Sequence, residues 1–241
     1  MKSILIAITI LTGLNLGAQN YEFEPDEMPG KIITDKGKEL TGYIKLNGDE
    51  RSPWDNQKSV EFFTEQAMED GKVKGKEREK YKPKDIKAYV ANGRYFESMK
   101  ISAAKLSLGI GIDKWQFVER MVDGSTKLYR LYDYPDPVTV TTSEQERVEH
   151  EQQMESMRTE PNLVLQKGDG ERELISKVDF VEYLSDCPKV REKYQSGGYG
   201  IEPWDTDKDS KIANWVASQV NLDKILAVLP EILDDYNSCE K

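Results

Sequence analysis

The segment IKAYVANGRYFESMKI, residues 86–101, decides the fold of this chain. Two runs rich in aromatic and β-branched residues flank the dipeptide Asn92-Gly93. A two-residue type I′ turn needs positive φ at both central positions, and asparagine and glycine adopt that conformation at the lowest cost. The segment therefore predicts a tight β-hairpin, which places the chain among proteins built from antiparallel strands.

The same arrangement recurs on both sides of this hairpin. KIITDKGKELTGYIK, residues 31–45, turns at Lys36-Gly37, and WQFVERMVDGSTKLYRLYDY, residues 115–134, turns at Asp123-Gly124. In the second of these, one alternating set of residues fits a half-buried strand pair: Phe117, Glu119 and Met121 against Leu128, Arg130 and Tyr132. Residues 59–64 and 161–176 add further strands, so the body of the protein is predicted to be rich in β-hairpins.

Two parts of the chain have helical rather than strand character. Residues 143–158, SEQERVEHEQQMESMR, begin with a capping box formed by Ser143 and Glu146 but have almost no apolar face. They predict an exposed helical excursion. From Lys177 onwards the apolar period becomes helical, and residues 222–236 carry one broad apolar stripe. The fold class is therefore α+β: an antiparallel body, as an open sheet, a sandwich or a partial barrel, followed by a small helical tail.

Composition narrows the functional classes. The 241 residues are 37% hydrophobic and 32% charged, with 34 lysines and arginines against 44 acidic residues and a net charge of −10. That balance argues against nucleic-acid binding through unspecific phosphate neutralisation. It also excludes collagen-like, membrane-spanning and wholly disordered chains.

The first eighteen residues, MKSILIAITILTGLNLGA, have the organisation of a secretory signal peptide. Lys2 precedes an apolar run over residues 4–11, and small residues close the segment at Gly17 and Ala18. The run is shorter than the roughly 20 apolar residues that a transmembrane helix needs. The alternative is an N-terminal core helix.

We expect a leader at 1–18, a β-rich domain at 19–176 and a helical region at 177–241 that packs on it. Loss of Lys2 would change the net charge from −10 to −11.

Two cysteines, Cys187 and Cys239, lie near the end of the chain. An exported protein matures in an oxidising compartment, where two such residues form a disulfide if their geometry allows it. The alternative is two free thiols in a helical tail.

A basic stripe is the most unusual feature of the sequence. Lysine or arginine occupies every second position from 72 to 84: Lys72, Lys74, Lys76, Arg78, Lys80, Lys82 and Lys84. In an extended strand this spacing puts all seven charges on one face. Such a ribbon could contact anionic lipid, a phosphorylated glycan or an acidic protein. The simpler interpretation is that these lysines protect an edge strand from pairing with another sheet.

Recognised catalytic and metal motifs are weak. His150 is the only histidine and lies within the charged helix, so it is expected on a solvated face rather than in a catalytic site. Asp205, Asp207 and Asp209 have the alternation of the first half of a calcium loop. The second half does not follow, because Ser210 and Val216 stand where glycine and a bidentate glutamate are needed. Helix capping explains the same aspartates.

The order of these segments resembles a family of uncharacterised secreted proteins from Bacteroidota. The similarity is carried by residues 31–45, 80–101, 117–134 and 178–200 and by the terminal DDYNSCEK. It implies a location in the cell envelope and a β-rich body with a helical tail, and no activity. The charged insertion at 144–158 departs from the family pattern.

These observations favour a non-catalytic periplasmic protein that binds or scaffolds an envelope protein, a glycan or an anionic lipid surface, with no cofactor and no nucleic acid. Two alternatives belong to other classes. A carboxylate-dependent glycan hydrolase would need two acids across a cleft lined by aromatic residues such as Tyr95, Trp115 or Tyr132. A calcium-stabilised adhesion module would use the aspartates at 205–209.

Overall fold

A computed structural model of the protein describes residues 23–70, 78–101, 114–135, 143–203 and 222–239. Its centre is an open sheet of ten antiparallel strands in the order β10-β9-β8-β7-β6-β5-β1-β2-β3-β4. The strands are β1 (Glu27–Ile33), β2 (Glu39–Leu46), β3 (Val60–Phe63), β4 (Glu79–Tyr81), β5 (Ala88–Ala91), β6 (Arg94–Ile101), β7 (Lys114–Val122), β8 (Thr126–Leu131), β9 (Asn162–Lys167) and β10 (Arg172–Leu174). The predicted α+β class is confirmed, and among the three predicted arrangements of the strands the open sheet is the one observed.

The sheet consists of two meanders that lie side by side. Strands β1 to β4 form one and β5 to β10 form the other, and they join where β1 pairs with β5. The chain passes between the two meanders through residues 82–87. Ile86 in this crossover is buried in the core, and the Lys87 N–H donates to the Ile33 carbonyl at 2.8 Å. All the other strand connections are between neighbours, as local hairpin signals require.

Turn chemistry explains the hairpins. Asn92 and Gly93 have φ values of 49° and 76°, as the type I′ turn between β5 and β6 requires. The β7–β8 hairpin turns at Asp123-Gly124 and contains a register shift between Arg120 and Val122. Such a bulge increases the local twist of the strand pair.

Helices lie outside the sheet. They are α1 (Glu65–Glu69), α2 (Glu144–Thr159), α3 (Phe180–Tyr183), α4 (Pro188–Gln195) and α5 (Leu222–Asn237), with 3-10 turns at Pro53–Gln57 and Ile175–Lys177. Helix α2 is the predicted charged excursion. It opens with the Ser143 and Glu146 capping box, and none of its side chains is buried. No helix in the described ranges is long and apolar enough to cross a membrane.

The two faces of the sheet bury different residues. We call the face that carries Ile32, Tyr89, Phe117 and Leu128 face A and the opposite one face B; the registers place Glu119 and Arg130 on face A. Face A holds two apolar clusters. The first cluster, on β1 to β7, is made of Ile32, Ile44, Val60, Phe62, Tyr89, Phe96 and Phe117 with neighbours. The second cluster joins β7 to β9 with the helical tail through Leu128, Leu163, Leu165, Phe180, Leu229 and Leu233 with neighbours.

The helical tail is fixed to the sheet at its last turn. The Asn237 side-chain oxygen accepts from the Thr126 N–H at 2.7 Å, and its amide nitrogen donates to the Thr126 carbonyl at 2.9 Å. Asn237 thus replaces a missing strand partner at the start of β8. Gly124 leaves the space it needs, because a Cβ there would lie 2.5 Å from the Asn237 amide nitrogen.

A disulfide joins Cys187 to Cys239, with Cα atoms 6.2 Å apart, as the sequence predicted. Cys187 precedes α4 and is fully buried, and Cys239 follows α5. The bond therefore closes a loop over residues 187–239, which is most of the tail.

We expect reduction of this disulfide to lower the free energy of unfolding by about 4 kcal/mol, because the unfolded chain regains the entropy of a loop that spans 52 residues. Urea unfolding with and without reductant measures the difference. A variant with alanine at both cysteines is the control and should not respond to reductant. Superimposable curves for the wild-type protein under both conditions would contradict the expectation.

Candidate functional site

Of the described residues of the basic stripe, Lys80 lies in a strand. Strand β4 covers Glu79–Tyr81 and forms one edge of the described sheet, where it pairs with β3. Lys80 is exposed on it, and Lys82 and Lys84 are exposed beyond its end. The strand ends at Tyr81, shortly before Pro83, which has no N–H to continue the ladder. Lys72, Lys74 and Lys76 lie outside the described residues.

Arg78 has a structural partner. The registers place it on face B with Lys80, but only 17% of its side chain is exposed. Its guanidinium group forms an ion pair with Glu27, whose side chain is fully buried, and lies 3.6 Å from a carboxylate oxygen of Glu61. Arg78 thus neutralises a buried carboxylate between β1 and β3. Contact between the lysines and an anionic surface stays a prediction.

Other predicted sites are placed as follows. Asp205, Asp207 and Asp209 lie outside the described residues, so the calcium hypothesis stays a prediction. His150 lies on α2 and is half-exposed. Within the described ranges, no group of three or more histidine, cysteine, aspartate or glutamate side chains is arranged to hold a metal ion.

Three charged side chains on face A form a site that sequence reasoning did not identify. Arg94 at the start of β6 donates two hydrogen bonds to Glu119 of β7, from Nε at 2.8 Å and from Nη2 at 2.9 Å. An Nη1 atom of Arg130, on β8, lies 3.8 Å from Glu119 Oε2. We call Arg94, Glu119 and Arg130 the arginine cluster.

The arginine cluster lies at the seam between the two apolar clusters of face A. Along β7, Glu119 stands between Phe117 of the first cluster and Met121, which packs against the second. Along β8, Arg130 stands between Leu128 and Tyr132, and across the sheet it faces Leu163. Glu119 is 8% exposed, so its charge is held in largely apolar surroundings.

The cluster carries more positive charge than negative charge. Both oxygens of Glu119 accept hydrogen bonds from Arg94, and Arg130 reaches the same carboxylate only at ion-pair distance. The Nε atom of Arg130 is buried and has no hydrogen-bond partner. Two guanidinium groups thus share one carboxylate, and Arg130 keeps donor capacity that the protein does not use.

Electrostatics within the cluster follow from these contacts. The hydrogen bonds that Arg94 donates to Glu119 raise the pKa of Arg94 against the opposing effect of burial. The charge of Glu119 and the phenols of Tyr132 and Tyr89 act in the same upward direction. Arg94 also lies over the Phe96 ring, with 4.9 Å between its Cζ atom and the ring centroid.

Two partly exposed aromatic residues, Tyr132 and Trp115, lie on face A beyond the cluster, and the fully buried Phe117 stands between Trp115 and Glu119. Tyr132 is held by the buried side chain of Gln57, which accepts from the Tyr132 N–H at 2.7 Å and donates to its carbonyl at 2.8 Å. Trp115 lies on β7 four residues before Glu119 and therefore on the same face. It is 44% exposed, the largest exposed fraction among the large hydrophobic side chains described. Together these residues offer cations and ring faces.

The sequence contains a signal for this cluster. Glu119 and Arg130 occupy the same alternating phase as Phe117 and Leu128, which is the phase that the hairpin buries. A charge at a core-facing position of a strand needs a partner on a neighbouring strand. That partner, Arg94, comes from a different hairpin, and the hairpin pattern alone does not pair the two.

The aromatic residues suggested for a hydrolase cleft do not line one surface. Tyr95 pairs with Arg120, and Lys100 pairs with Trp115. Tyr95 and Lys100 are five positions apart on one strand, an odd number, so Tyr95 and Trp115 lie on opposite faces of the sheet. Tyr132 is close to Arg94 on face A. A cleft that includes both Tyr95 and Trp115 is therefore inconsistent with the strand register.

No protein-family model matches the sequence, and comparison with curated proteins and with solved structures found no match. Function is therefore inferred from side-chain chemistry.

We expect Arg78→Gln to lower the free energy of unfolding by about 3 kcal/mol, because it removes a cation from the buried Glu27 carboxylate. Lys82→Gln is the matched control, since Lys82 is exposed, and should change stability by less than about 0.5 kcal/mol. Urea unfolding at neutral pH compares the two. Equal stability of both variants would show that Arg78 is an ordinary surface cation.

We expect alkaline pH to destabilise the fold through its phenols. Burial raises the pKa of Tyr81 and Tyr134 to about 12, and it raises that of Tyr89 and Tyr129 as well. The unfolded phenol has a pKa of about 10. The stabilising contribution is therefore complete below about pH 10 and is lost as the pH rises towards the folded value.

Tyr134 alone should account for about 1 kcal/mol of stability lost between pH 10 and pH 11. Unfolding measured at both pH values for the wild-type protein and Tyr134→Phe isolates this amount, because the variant lacks the phenol. An equal loss in both proteins would contradict the raised pKa.

Proposed function

We propose that the protein is a non-catalytic binding or scaffold protein of the periplasm, and that its ligand binds on face A at the arginine cluster. The observation that carries the proposal is the unequal pairing of Arg94 and Arg130 with the single carboxylate of Glu119. A guanidinium group with unused donors in an otherwise apolar surface is a recognition group for an anion.

Hydrogen bonding in the cluster favours binding over catalysis. A general acid or base must reach the proton that it transfers. Both oxygens of Glu119 instead accept from Arg94, and the carboxylate is 8% exposed. Arginine does not exchange protons in proteins at ordinary pH. The cluster can therefore hold and orient an anionic group, and it offers no group to activate a nucleophile.

Export is proposed from the leader at residues 1–18, and the disulfide supports it. Bonds such as that between Cys187 and Cys239 persist in oxidising compartments and are rare in the cytosol. The stretch with exposed Lys80, Lys82 and Lys84 at the β4 edge is a second region that we assign to contact with an envelope component. This stretch lies at one edge of the sheet, whereas the arginine cluster lies on the interior strands β6 to β8.

Separate titration of the source organism's envelope proteins, lipids and polysaccharides on a biosensor with immobilised protein tests the proposal. We expect saturable binding of one fraction, and recovery of the bound material chemically unchanged after prolonged incubation. Glu119→Gln should then alter affinity without creating or removing any turnover.

Two outcomes would overturn the proposal. One is cleavage or modification of any fraction by the wild-type protein, which would establish an enzyme. The other is the absence of saturable binding to all three fractions, which would remove the binding function itself.

A further inference from the structure

We propose that the ligand of the arginine cluster is an acidic glycan, whose carboxylate accepts hydrogen bonds from Arg130 while its sugar rings pack on Tyr132 and Trp115. This inference rests on the proposed binding function and names the chemical class of its ligand. It follows from the charge of the cluster, its depth and the aromatic residues beside it.

Arg130 supplies the anion-binding group. Its Nε atom is buried without a hydrogen-bond partner, and its nearest carboxylate oxygen, on Glu119, is 3.8 Å away. Because 26% of the side chain is exposed, its terminal nitrogens can be reached from solvent. A planar guanidinium group matches a carboxylate through two parallel hydrogen bonds, whereas an ammonium group does not.

Arg94 pairs with Glu119 and thereby leaves the charge of Arg130 available to a ligand. It already satisfies Glu119 with two hydrogen bonds, so an incoming carboxylate does not have to compete with Glu119 for Arg130. Arg94 is itself 38% exposed and adds a second cation at the seam. The incoming carboxylate would bring the charge balance of the cluster to two cations and two anions.

The depth of the cluster disfavours a flat lipid surface. Membrane-surface binding uses lysines and arginines that project towards the headgroups. Glu119 is nearly buried and Arg130 is mostly buried, between the two apolar clusters of face A. A ligand must therefore insert a narrow anionic group, as a flexible chain with pendant carboxylates does.

The aromatic residues favour sugar rings as neighbours of that carboxylate. Tyr132 follows Arg130 by two residues and is half-exposed, and Trp115 is 44% exposed on the same face. Four residues of strand separate Trp115 from Glu119, which corresponds to about 13 Å. One small anion cannot reach both ends of that distance, but a chain of several sugar rings can. Ring faces of Trp and Tyr provide large, rigid contact area with a polar edge, which suits a sugar ring.

Affinity electrophoresis in gels that contain polygalacturonate, dextran sulfate or neutral dextran tests the inference. We expect polygalacturonate to retard the native protein and neutral dextran not to do so. Dextran sulfate distinguishes sulfate groups from carboxylate groups as the anions that are bound. Stronger retardation by polygalacturonate than by dextran sulfate supports the planar pairing of a carboxylate with Arg130.

Variants locate the binding. Arg130→Gln should weaken binding of polygalacturonate at least tenfold, because a charge-assisted bidentate contact is lost. Lys127→Gln removes one positive charge from the same strand on the opposite face, and its affinity should equal that of the wild type. Arg130→Lys keeps the positive charge but loses the planar guanidinium group. Its affinity should therefore fall between those of Arg130→Gln and the wild type. Trp115→Ala should weaken binding while leaving the selectivity for the charged polymer intact. Circular dichroism and urea unfolding verify that each variant is folded.

Each contrary result has a distinct meaning. Equal retardation by neutral dextran would overturn the acidic class and keep the binding function. Equal affinity of Arg130→Gln and the wild type would overturn the site, and loss of retardation in a Lys80, Lys82 and Lys84 to Gln variant would move it to the β4 edge. No retardation by any polymer, with saturable binding of the envelope protein or lipid fraction, would overturn the glycan and leave the binding function standing.

Discussion

The ion pair between Arg94 and Glu119 is the interaction on which the arrangement of face A depends. A carboxylate that is 8% exposed is costly without a partner, and Arg94 supplies two hydrogen bonds from the neighbouring strand. The pair fixes the start of β6 against the middle of β7. It also keeps the two apolar clusters of face A apart. If the apolar side chains of either cluster covered the seam, the charged pair would lose its remaining hydration.

That separation gives the two halves of face A different covers. The crossover at 82–87 contributes the buried Ile86 to the first half, and the 3-10 turn at Pro53–Gln57 meets it where the Asn56 carbonyl accepts from the Tyr89 hydroxyl. The helical tail covers the second half and is held by Asn237 and by the disulfide. Gln57 also bonds the backbone of Tyr132, which lies on the Phe117 side of the seam, and so fixes the border of the first half. The seam therefore stays partly open while both of its borders are fixed, which is the condition for a preorganised site.

Local features of the fold were predictable from the sequence, and the pairing of distant segments was not. Asn92-Gly93 predicts its hairpin because only a few residues tolerate the required φ values, and Ser143 with Glu146 predicts the start of α2 because a cap uses adjacent atoms. The pairing of β1 with β5 joins strands some sixty residues apart, with three strands between them in the chain. For the same reason the ion pairs of Arg78 and Arg94 could not be predicted. The partner of Arg78, Glu27, is 51 residues away, and the partner of Arg94 belongs to another hairpin. A period-two pattern of lysines says which side chains share a face and not which of them finds a buried acid there.

Because the net charge of the protein is −10, its affinity for an anionic ligand must depend on short-range contacts. The field of an acidic protein does not steer a polyanion towards it, so association gains nothing from long-range attraction. Affinity must then come from groups that act after contact: a guanidinium group with unused donors, apolar walls that lower the local dielectric constant, and the ring of Tyr132, whose backbone Gln57 holds. Contacts of that kind lengthen the lifetime of the complex more than they raise its rate of formation. An arginine that is mostly buried in an acidic protein thus discriminates between anions by shape, whereas exposed lysines would bind any of them.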